Sequence, residues 1–433
     1  METLTFTLKQ HTPMLHFQAS QEGATLRASD VKPRFDRWLI KEVWDDNFDK
    51  CCPYLVGYSD KFSTKERNDF KEKFDGGFRA LNYKMRIIAL SDDEPLPTHR
   101  KNQNGKIVSD YPMYFGDKRE TISRDCRVEF TFTECHRDLK VPINDNFAIF
   151  INSHNFGIRS SKGYGSFSVA SCSEKDFPEI YVVLDKGRWK DVENQIDLFY
   201  KTIRSGINLT QKIRRDDGKY MKGPDGKVLR KGYYFKSMLY SYVEKKYNGA
   251  CWDKKIIKNH FLKAKQSVID IKKDYRDCLG LSTSESWLDY KITITKSVKG
   301  IDRFASPIVF KPVKDKGKWK LYIILNKIPE QYQGEVKVSA TQMKEKPVDT
   351  RLITDYETTP MTGMYLCNDF SLEKYFDYLF KECPAGMKKK SWLNANDISE
   401  RFVKNQTNGF QEKQIKDIVN FYKKLRAFYA NKS

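Results

Sequence analysis

Histidine is scarce in this chain: six of 433 residues, with no His-Glu-x-x-His among them. None of the nine cysteines forms a Cys-x-x-Cys pair, and Cys135-His136 is the one fragment that hints at metal. Buried thiols acting as small hydrophobes are the expected role for these cysteines, with no zinc site. No Gly-x-Ser-x-Gly elbow occurs, and no Gly-Lys-Ser/Thr opens a helix as a P-loop requires. Apolar runs stay well short of the ~18 residues a membrane span needs. Met1-Glu2-Thr3 leads directly into an alternating segment, unlike the basic start and apolar stretch of a signal peptide. These absences point to a cytoplasmic protein with no cofactor. Repeats and low-complexity segments are lacking too.

What the chain has in excess is positive charge. Lys plus Arg total 78 against 57 acids, a formal net charge of +21. Aromatics make up 14% of the residues, too many for a disordered basic tail. A folded protein this basic attracts polyanions, nucleic acid above all. The length suits two or three domains.

The densest motif runs from His154 to Phe167, His-Asn-Phe-Gly-Ile-Arg-Ser-Ser-Lys-Gly-Tyr-Gly-Ser-Phe. Glycines 157, 163 and 165 permit a tight turn and close backbone approach. The N–H groups of such a turn can line a concave anion site, with Arg159 and Lys162 adding charge beside it. A solvated hairpin loop is the bland alternative.

The flanking pattern predicts a strand at Leu4–Leu8 and a helix capped by Ser29, in which Val31, Phe35, Trp38, Leu39 and Val43 recur at helical spacing. Strands are expected at Tyr83–Leu90 and Arg127–Thr133, a helix over Leu139–Asn152 and strands at Ser166–Ala170 and Glu179–Leu184. The order β-α-β-β-α-β is a split βαβ, ferredoxin-like arrangement whose open sheet face is available to RNA as in RRM modules. Ser91–Arg124 would be a flap between the central strands. Further on, Val192–Ile203 reads as a helix, Lys212–Lys231 as an exposed hairpin or flexible basic loop, and residues 236–275 as helical. Strands are predicted at Tyr290–Thr295, Pro307–Pro312 and Trp319–Leu325, the last two joined through Lys314-Asp315-Lys316-Gly317-Lys318. Residues 371–382 and 396–429 read as helices.

Two stretches together resemble the RAMP proteins of type III CRISPR effectors. Gly23-Ala-Thr-Leu-Arg27-Ala-Ser-Asp-Val-Lys32-Pro-Arg34-Phe-Asp-Arg37-Trp38 is similar to their early signature, in which an Arg-containing turn leads into a basic, aromatic helix. The loop Gly157–Ser166 is similar to their glycine-rich loop, and Arg303–Phe310 to a later strand motif. The combination most resembles the first RAMP subunit of the Cmr-type (III-B) complex. Pro33 and Phe35 depart from that subunit's usual glycine and tryptophan.

The resemblance implies an α+β chain of tandem ferredoxin-like domains, 1–188 and 189–433, with helical insertions and the glycine-rich loop. It also implies a non-catalytic subunit that binds crRNA and target RNA beside other type III effector subunits. The implied RNA-binding residues are Arg27, Lys32, Arg34, Arg37, His154, Arg159, Ser160, Ser161, Lys162, Gly163, Tyr164 and Gly165. Tyr164 would either stack on a base or pack beneath its own loop.

Two other readings stay open. A metal-independent RAMP endoribonuclease would use His16 or His154 in acid–base chemistry near neutral pH, and the loop aspartates Asp110 and Asp117 are further candidates for cutting target RNA. A generic basic RNA-binding protein needs neither. Asp92-Asp93-Glu94 and Asp216-Asp217 read as solvated turns rather than a metal nuclease centre.

Overall fold

Alternation in Leu4-Thr5-Phe6-Thr7-Leu8 puts the apolar side chains on one side of a strand and the threonines on the other. In the computed structural model this strand is β1, Glu2–Gln10. The structure describes residues 2–15, 26–90, 99–101, 107–109, 121–122, 125–185, 187–212, 215, 217–224, 226, 228, 230–235, 237–246, 252–261, 273–287, 292–342, 359–366, 369–382 and 409–431.

After β1 come β2 (Met14–Leu15), α1 (Ala28–Trp44), α2 (Phe48–Cys51), α3 (Thr64–Asp75) and β3 (Lys84–Ala89). Short strands β4 (His99–Lys101), β5 (Ile107–Ser109) and β6 (Thr121–Ile122) precede β7 (Cys126–Phe132), α4 (Lys140–Ser153), β8 (Phe167–Val169), β9 (Tyr181–Leu184) and α5 (Trp189–Arg204). The remainder comprises β10 (Ile207–Lys212), β11 (Arg230–Phe235), α6 (Met238–Lys246), α7 (Asp253–Phe261), β12 (Lys273–Asp274), β13 (Ser284–Trp287) and β14 (Ile292–Val298). It ends with β15 (Ile308–Asp315), β16 (Lys318–Leu325), β17 (Gly334–Gln342), β18 (Met361–Leu366), α8 (Leu372–Asp377) and α9 (Gly409–Asn431). The chain is thus mixed α+β with several antiparallel sheets. It divides into two compact units: Met1–Asn194 with Val309–Ile324, and Gln195–Ile308 with Leu325–Ser433. The hairpin read as part of the second domain belongs to the first unit.

In the first unit, an antiparallel sheet has the strand order β3-β7-β1-β8. Leu4, Phe6 and Leu8 share its inner side with Val128, Phe130 and Phe132. Against them pack Phe35 of α1 and Phe147 and Phe150 of α4, with ring centroids 4.8 Å apart for Phe6–Phe147 and 5.0 Å for Phe35–Phe150. Such ring pairs add about 0.5–1.5 kcal/mol each beyond the area they bury. The outer face differs from the RRM expectation. Its rows are Lys84–Thr131–Thr3, Arg86–Glu129–Thr5 and Ile88–Arg127–Thr7, so these positions offer no ring for a base to stack on. The aromatics of these strands are committed to the core.

α1 starts earlier than its cap signal. Arg27, with extended backbone, is the N-cap, and its carbonyl accepts from the Asp30 and Val31 N–H groups. Ser29 therefore lies within the first turn. A strand expectation that changes is Glu179–Leu184: β9 joins the separate sheet β15-β16-β9. Pro312, which cannot donate to a ladder, falls on β15 at that sheet's edge.

In the second unit, β10 and β11 pair as a two-stranded ribbon. A five-stranded sheet runs β12-β18-β17-β14-β13, with β12 parallel to β18 and the other pairs antiparallel. Its β13, β14, β17 and β18 follow as a meander, a different order from the first unit's sheet. Most of the flap at 91–124, several residues of the basic hairpin at 212–231, residues 262–272 and residues 396–408 lie outside the described residues.

Candidate nucleic-acid interface

Amphipathic spacing turns Val31, Phe35, Leu39 and Ile40 of α1 into the core and leaves Arg27 and Arg37 exposed, with Arg34 half-buried between them. The guanidinium of Arg34 donates to the Asn155 carbonyl at 2.8 Å and lies 4.9 Å from the Phe156 ring centroid. That contact joins the basic side of α1 to the glycine-rich segment. Lys32 points elsewhere. Its ammonium meets the buried Asp36 carboxylate at 2.6 Å and the Leu81 carbonyl at 2.8 Å, and sits over the Tyr83 ring. Burial raises the Asp36 pKa even with Lys32 beside it. Lys32 therefore fixes the start of α1 to the segment before β3.

The segment after α4 closes on itself. The Phe156 N–H donates to the Gly165 carbonyl, and Asn155 bridges to Ser166. A single turn of 3-10 helix, Ser160–Lys162, follows Arg159, whose φ of 60° is left-handed. The loop is fastened to the strand segment at 12–15 through Ile158 N–H to the Leu15 carbonyl, Gly165 N–H to Pro13, and Thr12 Oγ1 to the Gly163 carbonyl. The N–H groups of Phe156, Ile158, Lys162, Gly163, Gly165 and Ser166 are all spent on protein acceptors. They cannot also cradle an anion, so the concave N–H site suggested by the glycines is not formed by these six. The glycines serve packing instead. A Cβ on Gly165 would lie 1.9 Å from the Phe156 carbonyl oxygen, and one on Gly157 would lie 2.5 Å from that of Leu15.

Tyr164 packs beneath the loop, the second of its two expected roles. It is fully buried, its ring edge meets Trp189, and its hydroxyl donates to Glu193 Oε1. Burial pushes the Glu193 carboxyl up to about 7 against the pull of Tyr164 and Lys190. Gly163 and Gly165 are also buried, while Arg159, Ser160, Ser161 and Lys162 are half-buried around the turn. Cations therefore stand on both sides of the Arg34–Asn155 contact: Arg27, Arg34 and Arg37 at and along α1, and Arg159 and Lys162 on the turn.

His154 caps the end of α4, stacked on Phe150 with Nδ1 2.8 Å from the Phe150 carbonyl. Burial, reinforced by Arg34, lowers its pKa to about 4. Its Nδ1 is held against the backbone at the end of α4. His11 is similar: Nε2 meets Ser168 Oγ at 2.8 Å, and burial with Lys311 lowers its pKa to about 3. His16, Asp110 and Asp117 lie outside the described residues.

Two residues that sequence reasoning missed hold the loop in place. Lys311 on β15 is fully buried, and its Nζ donates to the carbonyls of Ile151, His154 and Phe167 at 2.8, 2.6 and 2.5 Å. Burial, with Arg34 close by, lowers its pKa well below the ordinary lysine value. Asn155 Nδ2 donates to the carbonyls of Ser160 and Phe310. Only a lysine amid Ile308-Val309-Phe310 and Pro312-Val313 could have signalled this.

The second unit holds a separate charged cluster. Asp253, Asp274 and Asp277 bring carboxylate oxygens within 4.8 Å of one another. Lys296 Nζ occupies their centre, at 2.9, 2.7 and 2.5 Å respectively. Arg276 adds contacts to Asp253 and Glu285, and Arg204 to Asp277. Burial and the neighbouring Asp277 raise the Asp274 pKa above the ordinary carboxylate range. A metal ion would use such a carboxylate set, but here an ammonium fills it. The signal was the pattern Ile292-Thr-Ile294-Thr-Lys296-Ser-Val298, which places the lysine on the buried side of β14. Among the described residues no helix is long and apolar enough to cross a membrane.

Family models match most of the chain: the Cmr1 N-terminal domain over residues 1–207 and the Cmr1 C-terminal domain over residues 234–407. Among solved structures, Cmr1 from Pyrococcus furiosus in its apo form is 11% identical, covering 84% of this chain and 94% of that one, at a TM-score of 0.34. A type III-B Cmr-beta structure, bound to cognate target RNA and AMPPnP in the presence of ssDNA, is also 11% identical. It covers 79% and 95% at a TM-score of 0.33. Likenesses at these scores are too slight to fix topology. No curated protein matches.

Proposed function

Because the chain belongs to the Cmr1 family, we propose that it is an RNA-binding, non-catalytic subunit of a type III-B (Cmr-type) CRISPR effector. It works in the cytoplasm beside other effector subunits and holds crRNA and target RNA in antiviral defence. The family match and the +21 charge support this reading. One observation carries the choice of site: Arg34 fastens the basic side of α1 to the loop that bears Arg159 and Lys162. The result is a cationic corner with a fixed frame, suited to a sugar-phosphate backbone. Arg27, Arg37, Arg159 and Lys162 contact phosphate, with Ser160 and Ser161 adding neutral hydrogen bonds. Lys32, Arg34, His154, Gly163, Tyr164 and Gly165 position them. The reading also takes the first unit as ferredoxin-like, supported by its chain order and by β8-β1-β7-β3 strand neighbours.

The test is RNA binding by the intact chain across a salt series. Each phosphate contact to a single strand contributes about 0.7 to the slope of log K against log salt. Arg159→Ala with Lys162→Ala should weaken binding and flatten that slope by roughly 1.4 with folding intact. An unchanged slope sinks this assignment. Purification from the native host should also recover short RNAs sharing a repeat-derived tag, together with other effector subunits.

A further inference from the structure

The proposed RNA site has a neighbour from far along the chain. Hairpin β15–β16 is bound into the loop's frame through Lys311 to the His154 and Phe167 carbonyls and through Asn155 to Phe310. On its other flank the Lys314 N–H donates to His11 Nδ1 at 3.1 Å. Trp319 of β16 meets Trp189, which in turn meets Tyr164 beneath the loop. From Lys311 to Lys314 is three strand residues, about 10 Å.

At the tip, Lys316 and Gly317 have φ of 44° and 80°. Two positive φ values between antiparallel strands define a type I′ turn, for which Asn-Gly or Asp-Gly is the favoured pair. This chain places lysine where asparagine would fit the backbone better. What lysine brings to that position is a charge at the tip of the hairpin. Lys314 to Lys318 are all exposed, Lys318 pairs with Asp185 at 3.2 Å, and Lys314 lies 5.8 Å from the Trp319 ring centroid. Among the described residues neither Lys314 nor Lys316 is ion-paired. Trp319 itself is buried, so the tip offers cations without a stacking ring.

Resting on the RNA-binding reading above, we propose that Lys314 and Lys316 form a second phosphate contact on the same single-stranded RNA. The strand passes from the Arg159–Lys162 turn to the hairpin tip. Backbone charge is read there rather than sequence.

A labelled oligouridylate tests this with the full chain across a salt series, comparing wild type, Arg159→Ala/Lys162→Ala, Lys314→Gln/Lys316→Asn and Lys316→Asn alone. The hairpin pair should weaken binding several-fold and lower the salt slope by about 1.4, two contacts at about 0.7 each. Lys316→Asn alone should raise the melting temperature, because asparagine suits the turn, while still weakening RNA binding. A merely structural lysine could not give that opposite-signed pair of results. If the loop variant loses affinity and the hairpin variant does not, the hairpin contact is overturned and the RNA reading stands. If neither loses affinity, or wild type binds no oligouridylate, the RNA reading itself falls. Intact oligouridylate binding with lost capture of other effector subunits would make the tip a protein contact and overturn the proposal.

Discussion

Lys311 Nζ and the His154 carbonyl oxygen lie 2.6 Å apart, although 157 positions separate the residues. The same ammonium takes the last turn of α4 and the first residue of β8 as acceptors. Both ends of the glycine-rich loop are thereby held by one side chain. Lys311→Met keeps the bulk but strands the His154 and Phe167 carbonyls, each worth about 1–3 kcal/mol when unsatisfied, while the Ile151 carbonyl keeps the His154 N–H. Relief of a buried charge offsets part of that. We expect a net loss of about 2–4 kcal/mol in urea unfolding, with proteolysis first appearing within 154–166. Full stability in Lys311→Met would show that the clamp contributes nothing.

Acid and base act in opposite directions on the first unit. Glu193 has its folded pKa raised from 4.5 to about 7, so its contribution is complete below about pH 4.5 and is lost as pH rises through 7. His154 and His11, lowered from 6.5 to about 4 and about 3, contribute above about pH 6.5 and lose it as pH falls. Glu193→Gln should gain on wild type between pH 4.5 and 7.5 by up to about 3 kcal/mol. Denaturant midpoints at the two pH values check this; parallel profiles would refute it.

Two glycines with positive φ should respond differently to alanine. Gly317, with φ +80°, has no atom within 4 Å of an added Cβ, so Gly317→Ala costs only the left-handed penalty of about 1 kcal/mol. Gly165→Ala must also move the Phe156 carbonyl and disturb the Phe156–Gly165 hydrogen bond, and should cost more than about 3 kcal/mol. Thermal unfolding of the two variants separates space from backbone preference.

In the second unit, Lys296→Met leaves Asp253, Asp274 and Asp277 facing one another without their central cation. Breaking a buried pair in this way costs about 3–5 kcal/mol. The deficit should shrink in acid as further carboxylates take up protons. A variant equally impaired at pH 4.5 and 7.5 would show that charge is not what Lys296 supplies.

Local pattern made much of the first unit legible. Val31, Phe35 and Leu39 marked α1, and Val128, Phe130 and Phe132 marked β7, because burial on one side imposes a period along the chain. The loop was visible as glycine and charge, but its role was half misread. Whether an N–H points outward or at Pro13, Leu15 and Gly165 depends on which distant strand passes by. The partners of Lys311, Asn155 and Lys296 were illegible for the same reason: they meet only in three dimensions. Ser29 looked like the cap because its side chain suits one, yet the first helical hydrogen bonds go to the Arg27 carbonyl.

The route by which the hairpin returns to the first unit sets an order of events during synthesis. When the ribosome has made the first 207 residues, the loop, α4 and the four-stranded sheet are all present, but Lys311 is not. About a hundred more residues must emerge before β15 can take its place, so the loop is completed late, by a long-range closure that slows folding. A fragment ending at 207 would match the N-terminal family model and still lack its own keystone.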